Sequence, residues 1–279
     1  MRRNNTKENF LVLGKYLFLL MCVVIALYPI LWVIASSFKT NAEILSSGIS
    51  LPTSINFRGY VDAINISPIL SYFWHSVIIA FSTTFINVFI MSAAGYVFAR
   101  TTFKGRDVLY FILLLALVIP STALLHPVFQ MIHNIGLYDT RSALILVYTA
   151  FNIPMSLLIL RGTYMGVPKE LEEAAYIDGA GFVRTYFQIM MPVAKGGLTS
   201  AAVLTFLSSW NEFTFALILT RGQSARTLPL SLSFFTAQFT FNYTALFAAV
   251  TIAVIPSITV FAIFQEQIVS SLTAGAVKG

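Results

Sequence analysis

Charge, thiols and catalytic signatures are what this chain has least of. Asp and Glu together number 11 and Lys and Arg 17 in 279 residues, so charged side chains make up 10% of the sequence. Soluble domains carry roughly a quarter. With 57% hydrophobic residues and a mean hydropathy of +0.81, the composition is that of a polytopic membrane protein. Most of its length goes into spans of about 20 residues each, which leaves no room for a soluble catalytic domain. The single Cys22 lies inside the first apolar run, where it has no intrachain partner and reads as a small buried hydrophobe. His75, His126 and His133 have no metal-ligand spacing with cysteine or carboxylates, so no metal is expected. Nothing matches Gly-x4-Gly-Lys-[Ser/Thr], His-Glu-x-x-His or Gly-x-Ser-x-Gly, and no paired intramembrane aspartates occur. The chain is therefore not expected to hydrolyse nucleotides or to hold a catalytic residue. Internal repeats and low-complexity linkers are also missing, so a single membrane domain over 1–279 is expected.

What the sequence does contain is six apolar runs. Their lengths predict an all-α protein with helices near residues 11–35, 73–98, 108–131, 142–164, 197–220 and 243–265. The first run follows Arg2 and Arg3 and exceeds the about 7–15 apolar residues of a signal-peptide core, so it is expected to stay as an uncleaved helix. An even number of spans puts both termini on one side. If that side is the cytoplasm, twelve Lys and Arg fall in inner segments and five, Lys39, Arg58, Arg141, Arg221 and Arg226, in outer ones. That bias predicts cytoplasmic N and C termini. The net charge of +6 is scattered over span ends instead of gathered on a basic face, so nucleic acid is not an expected partner. Pro120 and Pro127 predict a bend in the third helix. Asn87 and Asn152, the latter just before Pro154, read as packing or kink-satisfying groups.

Between the fourth and fifth runs lies a charged island, Val167-Pro168-Lys169-Glu170-Leu171-Glu172-Glu173-Ala174-Ala175-Tyr176-Ile177-Asp178-Gly179-Ala180-Gly181, followed by Ile189-Met190-Met191-Pro192. Pro168 suits a first helical turn, the three glutamates suit the positive end of the helix dipole, and Gly179 and Gly181 offer a C-cap. A surface helix of about three turns is predicted, with Leu171, Ala174, Ala175 and Asp178 on one face. The small alanines on that face allow close approach by a soluble partner. An interfacial helix resting on lipid is the competing reading, disfavoured by three glutamates near anionic headgroups.

The spacing Glu-Ala-Ala, three residues, Gly, nine residues, Ile-x-x-Pro resembles the EAA loop, about residues 165–195 here, of binding-protein-dependent ABC importer permeases. The longer string is similar to their carbohydrate, maltose-permease-like branch, and only Met191 departs from the usual Leu. Trp210-Asn211-Glu212-Phe213 and the terminal Gly275-Ala276-Val277-Lys278-Gly279 point the same way. The resemblance implies a type I importer permease in a bacterial inner membrane with a cytoplasmic coupling helix. It implies that Glu172, Glu173, Ala174, Ala175, Asp178 and Gly179 meet one of two ATPase subunits. Those subunits, not this chain, would bind ATP and Mg. A second, related permease, an extracytoplasmic binding protein and a carbohydrate, an oligosaccharide above all, complete the implied partners.

Two further regions bear on the path of a solute. Trp210, Asn211 and Glu212 place an aromatic face, an amide and a carboxylate in an apolar run, which suits a sugar but equally suits glue between helices. The outer loop from Arg221 to Tyr243 carries Phe234, Phe235, Phe239 and Phe241, aromatics that read either as contacts for the binding protein or as lipid anchors. The competing functions are a permease for another solute of the same importer class and, behind it, an ion-coupled secondary transporter. The absence of buried acidic pairs and the presence of the island stand against the latter.

Overall fold

In the computed structural model, residues 6–236 and 242–276 are described. Every regular element among them is helical, as expected from the composition. In chain order these are α1 (Thr6–Ser36), α2 (Asn41–Ser46), α3 (Arg58–Ile66), α4 (Ile69–Arg100), α5 (Arg106–Leu115), α6 (Leu125–Asn134), α7 (Arg141–Gly166), α8 (Glu170–Ile177), α9 (Phe182–Thr185), α10 (Met191–Val193), α11 (Lys195–Trp210), α12 (Thr214–Leu219), α13 (Leu228–Ser231), α14 (Ser233–Thr236) and α15 (Tyr243–Ala276), with a 3-10 turn over Ser121–Leu124 and a π-helical turn over Tyr186–Met190.

Four of them, α1, α4, α7 and α15, are long and apolar enough to cross a membrane unbroken. They coincide with the first, second, fourth and sixth predicted runs. The third and fifth runs are not continuous helices. Pro120 supplies no N–H and restricts the residue before it, so α5 ends in a turn and the chain re-enters helix through Ser121–Leu124 into α6. Pro127 sits in the first turn of α6, where it bends nothing. The fifth run breaks after Trp210, and α11 is itself bent by 76° from the helical stretch Phe182–Val193 before it.

The chain divides into two compact units. One comprises Met1–Pro68 with Leu232–Ile252, the other Ile69–Ser231 with Ala253–Gly279. In the first, Asn41 Oδ1 accepts from the Thr244 amide at 3.2 Å, Asn242 Nδ2 donates to Asp62 at 3.2 Å, and Trp32 meets Phe247 edge-on. Gly59 lies so close to Thr244 that a Cβ would fall 2.5 Å from its methyl. A short helix is stapled by Glu43, which completes a capping box with Thr40 and accepts from the Thr53 amide at 3.1 Å.

In the second unit the core is built by α4, α7 and α11. One cluster gathers Met91, Tyr96, Leu157, Leu160, Tyr164 and Tyr186, and another gathers Ile79, Leu144, Val147, Tyr148 and Phe215. Because lipid is as apolar as these side chains, close fit and polar contacts, not exclusion from water, hold such helices together. Gly95 provides the fit: a Cβ there would stand 3.0 Å from the Arg161 amide nitrogen. The polar contacts run through the same crossing. Asn87 donates to the Thr149 carbonyl at 3.1 Å, Ser156 and Thr205 lie 3.2 Å apart, and Ser92 bonds Tyr164 at 2.7 Å and Tyr186 at 2.8 Å. Asn152 bonds its own preceding turn at Tyr148, whereas Asn87 reaches across from α4 to α7.

Candidate functional site

The charged island folds as α8, eight residues and about two turns. Pro168 stands before the N-cap, Lys169, and not inside the first turn. Glu170, Glu172 and Glu173 occupy the first turn, where they complement the exposed N–H groups. Gly179 closes the helix in the left-handed conformation at φ 79°. Its amide bonds Tyr176 O at 3.0 Å and the Ala180 amide bonds Ala175 O at 2.9 Å, the double closure that such a C-terminal glycine makes possible. Gly181 instead precedes α9 as its N-cap.

The face read from the sequence is divided by the fold. Glu172 and Ala175 are buried against the chain itself, while Leu171, Glu173, Ala174, Tyr176, Asp178 and Gly179 are exposed and Ile177 is 86% exposed. Leu171, Ala174, Ile177 and Asp178 therefore form the free face. Glu172 is turned inward by Arg100, whose Nε lies 3.2 Å from Oε2. Arg100 also donates to the Val167 carbonyl. In the sequence Arg100 is one of the twelve basic residues assigned to inner segments, and nothing there links it to a carboxylate seventy-two positions later.

Beyond α8 the chain passes through the π-helical turn, where the Met191 amide bonds Tyr186 O. Pro192 explains the widening, since it has no N–H for the next carbonyl in the ladder. Tyr186 stacks on Tyr96 at 5.2 Å and so anchors this stretch to α4.

The second polar group, Trp210, Asn211 and Glu212, falls at the break between α11 and α12. Trp210 is 1% exposed, stacks on Phe206 at 5.7 Å, meets Phe73 edge-on and donates to the Ala253 carbonyl at 3.0 Å. It is a core residue here, not a free platform. Glu212 accepts from the Tyr148 hydroxyl at 2.6 Å and from the amides of Phe215 at 2.7 Å and Ala216 at 3.1 Å. Its carboxylate thus caps the amide end of α12 and ties it to α7. Asn211 is exposed, donates to Leu207 O at 2.8 Å and accepts from Ser257 at 3.4 Å. Asn211 and the 38% exposed Phe213 are the members left open at the break.

The segment after α12 is pinned by Asp139 on one side and by two neighbouring residues of α4 on the other. Asp139, at φ 61°, accepts from the amides of Arg221 at 2.8 Å and Gly222 at 2.9 Å. His75 Nδ1 donates to Arg226 O at 3.1 Å, and the Leu228 amide donates to Ser76 Oγ at 2.8 Å. Of the aromatics that follow, Phe235 is buried at 3% exposure, which corrects the reading of it as an open contact: α14 turns it inward. Phe234 is half-buried, and Phe239, with Phe241, lies outside the described residues. No cluster of three or more His, Cys, Asp or Glu able to hold a metal occurs among the described residues.

A family described as binding-protein-dependent transport system inner membrane component matches residues 91–273. A diacetylchitobiose uptake system permease protein of Streptomyces coelicolor is 36% identical over 93% of this chain and 87% of its own length. A trehalose/maltose transport system permease protein of Thermococcus litoralis is 35% identical over the whole of both chains. A solved bacterial ABC transporter involved in the import of the acidic polysaccharide alginate shares the fold with a TM-score of 0.81 at 21% identity, covering 95% of this chain and 99% of that one.

Proposed function

The chain belongs to the binding-protein-dependent transport family of inner membrane components, and from that premise we propose that it is the permease subunit of an ABC importer that passes a carbohydrate, an oligosaccharide in particular. The carrying observation is α8: a short helix with three acidic residues in its first turn, an open Leu171, Ala174, Ile177 and Asp178 face, and a glycine closure that stops it abruptly. Such a helix fits a groove on a soluble partner, and in this family the partner is an ATPase subunit. Two ATPase subunits, which bind ATP and Mg, supply the energy. A second permease completes the path, and an extracytoplasmic binding protein delivers the sugar. The relatives that handle diacetylchitobiose, trehalose and maltose support the sugar class.

The chain crosses the membrane six times with both termini in the cytoplasm. α5 with α6 and α11 with α12 serve as the broken third and fifth crossings, alongside the four continuous helices. Broken backbone at membrane depth is tolerated where it faces protein or a water-filled cavity, so Asn211 and Phe213 at the α11–α12 break line the solute path. Glu212 and Trp210 hold that break in shape. Phe234 and the loop that follows it meet the binding protein.

Reporter fusions at Ser47 and Gln223 are expected to read outside and one at Lys104 inside. ATPase subunits are expected to co-purify with the wild-type chain. A reversed Lys104 reading or a chain that purifies without ATPase subunits refutes the assignment.

A further inference from the structure

Arg100 is the last residue of α4, and its guanidinium joins three elements. Nη2 donates to the carbonyl of Val167, the C-cap of α7, while Nε faces Glu172 at 3.2 Å in the first turn of α8. The two side chains are 7% and 11% exposed. Among the described residues the other ion pair, Arg106 with Asp107, is between sequence neighbours and its carboxylate is 76% exposed. In α8 only Glu172 and Ala175 are buried. The helix therefore meets the bundle through Ala175 and Glu172, and the Tyr96 side chain of α4 lies beside the same carboxylate that faces Arg100. A buried ion pair contributes little stability beyond what apolar packing of the same volume would give. What it does provide is direction, because the planar guanidinium fixes where both of its partners sit.

We propose that Arg100 is a positioning residue that transmits displacement of α8 to the ends of α4 and α7 together. The proposal rests on the reading of α8 as the ATPase-docking helix. With Arg100 in place, a push on Glu172 reaches the end of α4 through the ion pair and the end of α7 through the Val167 carbonyl. Without it, Tyr96 still touches Glu172 from α4 but nothing ties the carboxylate to the Val167 carbonyl, so α8 can shift on the Val167–Lys169 connection without carrying α4 and α7 together. ATP is then hydrolysed without moving solute.

The test uses the complete transporter in lipid vesicles, with ATPase subunits and binding protein present. The probe is whichever of labelled trehalose, maltose or diacetylchitobiose the wild-type complex accumulates. Arg100→Gln is expected to retain its ATPase subunits while sugar accumulated per ATP hydrolysed falls about tenfold or more, the scale expected when one partner of a buried pair is removed. Arg100→Lys keeps the charge but not the fork, and its ratio is expected to lie between the two. The swapped pair R100E/E172R restores an ion pair but leaves the Val167 carbonyl without its donor, and it is expected to recover only part of the lost ratio. A wild-type ratio in Arg100→Gln overturns the proposal. If Arg100→Gln does not insert, Arg100→Lys decides: an inserted Lys variant with a lowered ratio supports the proposal, and one with the wild-type ratio overturns it. Ala174→Arg, on the open face, checks the docking reading separately. If that complex keeps its ATPase subunits, the docking reading falls and takes the proposal with it, a result the Arg100 variants cannot produce.

Discussion

Glu172 and Glu212 both stand in short polar islands between apolar runs, and the fold uses them differently. At Glu212 the carboxylate is engaged internally: Oε2 accepts from Tyr148 of α7 and Ala216 of α12, Oε1 from Phe215 of α12, and the indole N–H of the neighbouring Trp210 is spent on α15. Around Glu172 only one carboxylate is drawn in, while Glu173 and Asp178 stay in the open beside Leu171 and Ile177. Charge left over after the chain has satisfied itself marks a surface for someone else. Charge wholly used marks architecture.

The sharpest way to break this contrast is Glu212→Ala. It removes a cap and leaves the buried Tyr148 hydroxyl and two amides unpaired, so about 3 kcal/mol of stability should be lost, read as a lowered unfolding temperature in detergent. Glu212→Gln should lose about half as much, since it keeps one acceptor oxygen. If Glu212→Ala unfolds like the wild type yet abolishes uptake, Glu212 belongs with the open island after all.

A smaller effect is expected at the end of α8. No atom lies within 4 Å of a Cβ built on Gly179, so the cost of a substitution there is the left-handed backbone alone. Gly179→Val should therefore cost about 1–2 kcal/mol, confined to α8. Hydrogen exchange of the Asp178 and Ala180 amides would report it, and Gly179→Asn should cost less. Equal exchange in all three proteins would show that the closure is not what ends the helix.

The smallest effect sharpens the rule by separating exposure from availability. Glu43 is only partly buried but fully engaged. The Thr40 amide, then the Thr53 hydroxyl and amide, hold its carboxyl at about 2, below its ordinary value of 4.5. Because the folded value is the lower one, the staple contributes fully above pH 4.5 and is lost as pH falls through about 2. Protection of the Thr53 amide should fall across that window, and Glu43→Gln should remove the pH dependence. A pH-independent wild type would refute the assignment.

The position of both islands was legible in the sequence, because charged residues between apolar runs are costly and conspicuous. So were the four continuous spans, with α4 starting at Ile69 where 73 was expected. The interruptions in the third and fifth runs were not. Apolar run length averages over a break, whereas the break after Trp210 depends on which group takes the Phe215 and Ala216 amides, and that group is a carboxylate whose partner Tyr148 lies sixty-four residues earlier. The inward turn of Glu172 was hidden for the same reason. Periodicity placed Leu171, Ala174, Ala175 and Asp178 on one side of the helix. It could not say that Arg100 would pull the neighbouring strip inside and take Ala175 with it.

Asp139 imposes a condition on substitution. It is the one residue other than glycine with positive φ among the described residues, and its side chain is also the acceptor for the Arg221 and Gly222 amides. Glycine would suit the backbone and lose the acceptor. Glutamate would keep an acceptor, but its longer stem cannot hold it at the same short reach, and it tolerates the left-handed region poorly. Only aspartate and asparagine meet both demands. The permitted alphabet at position 139 is thus set by a turn and a pair of amides more than eighty residues downstream, and a library that randomises this codon should return those two residues and little else.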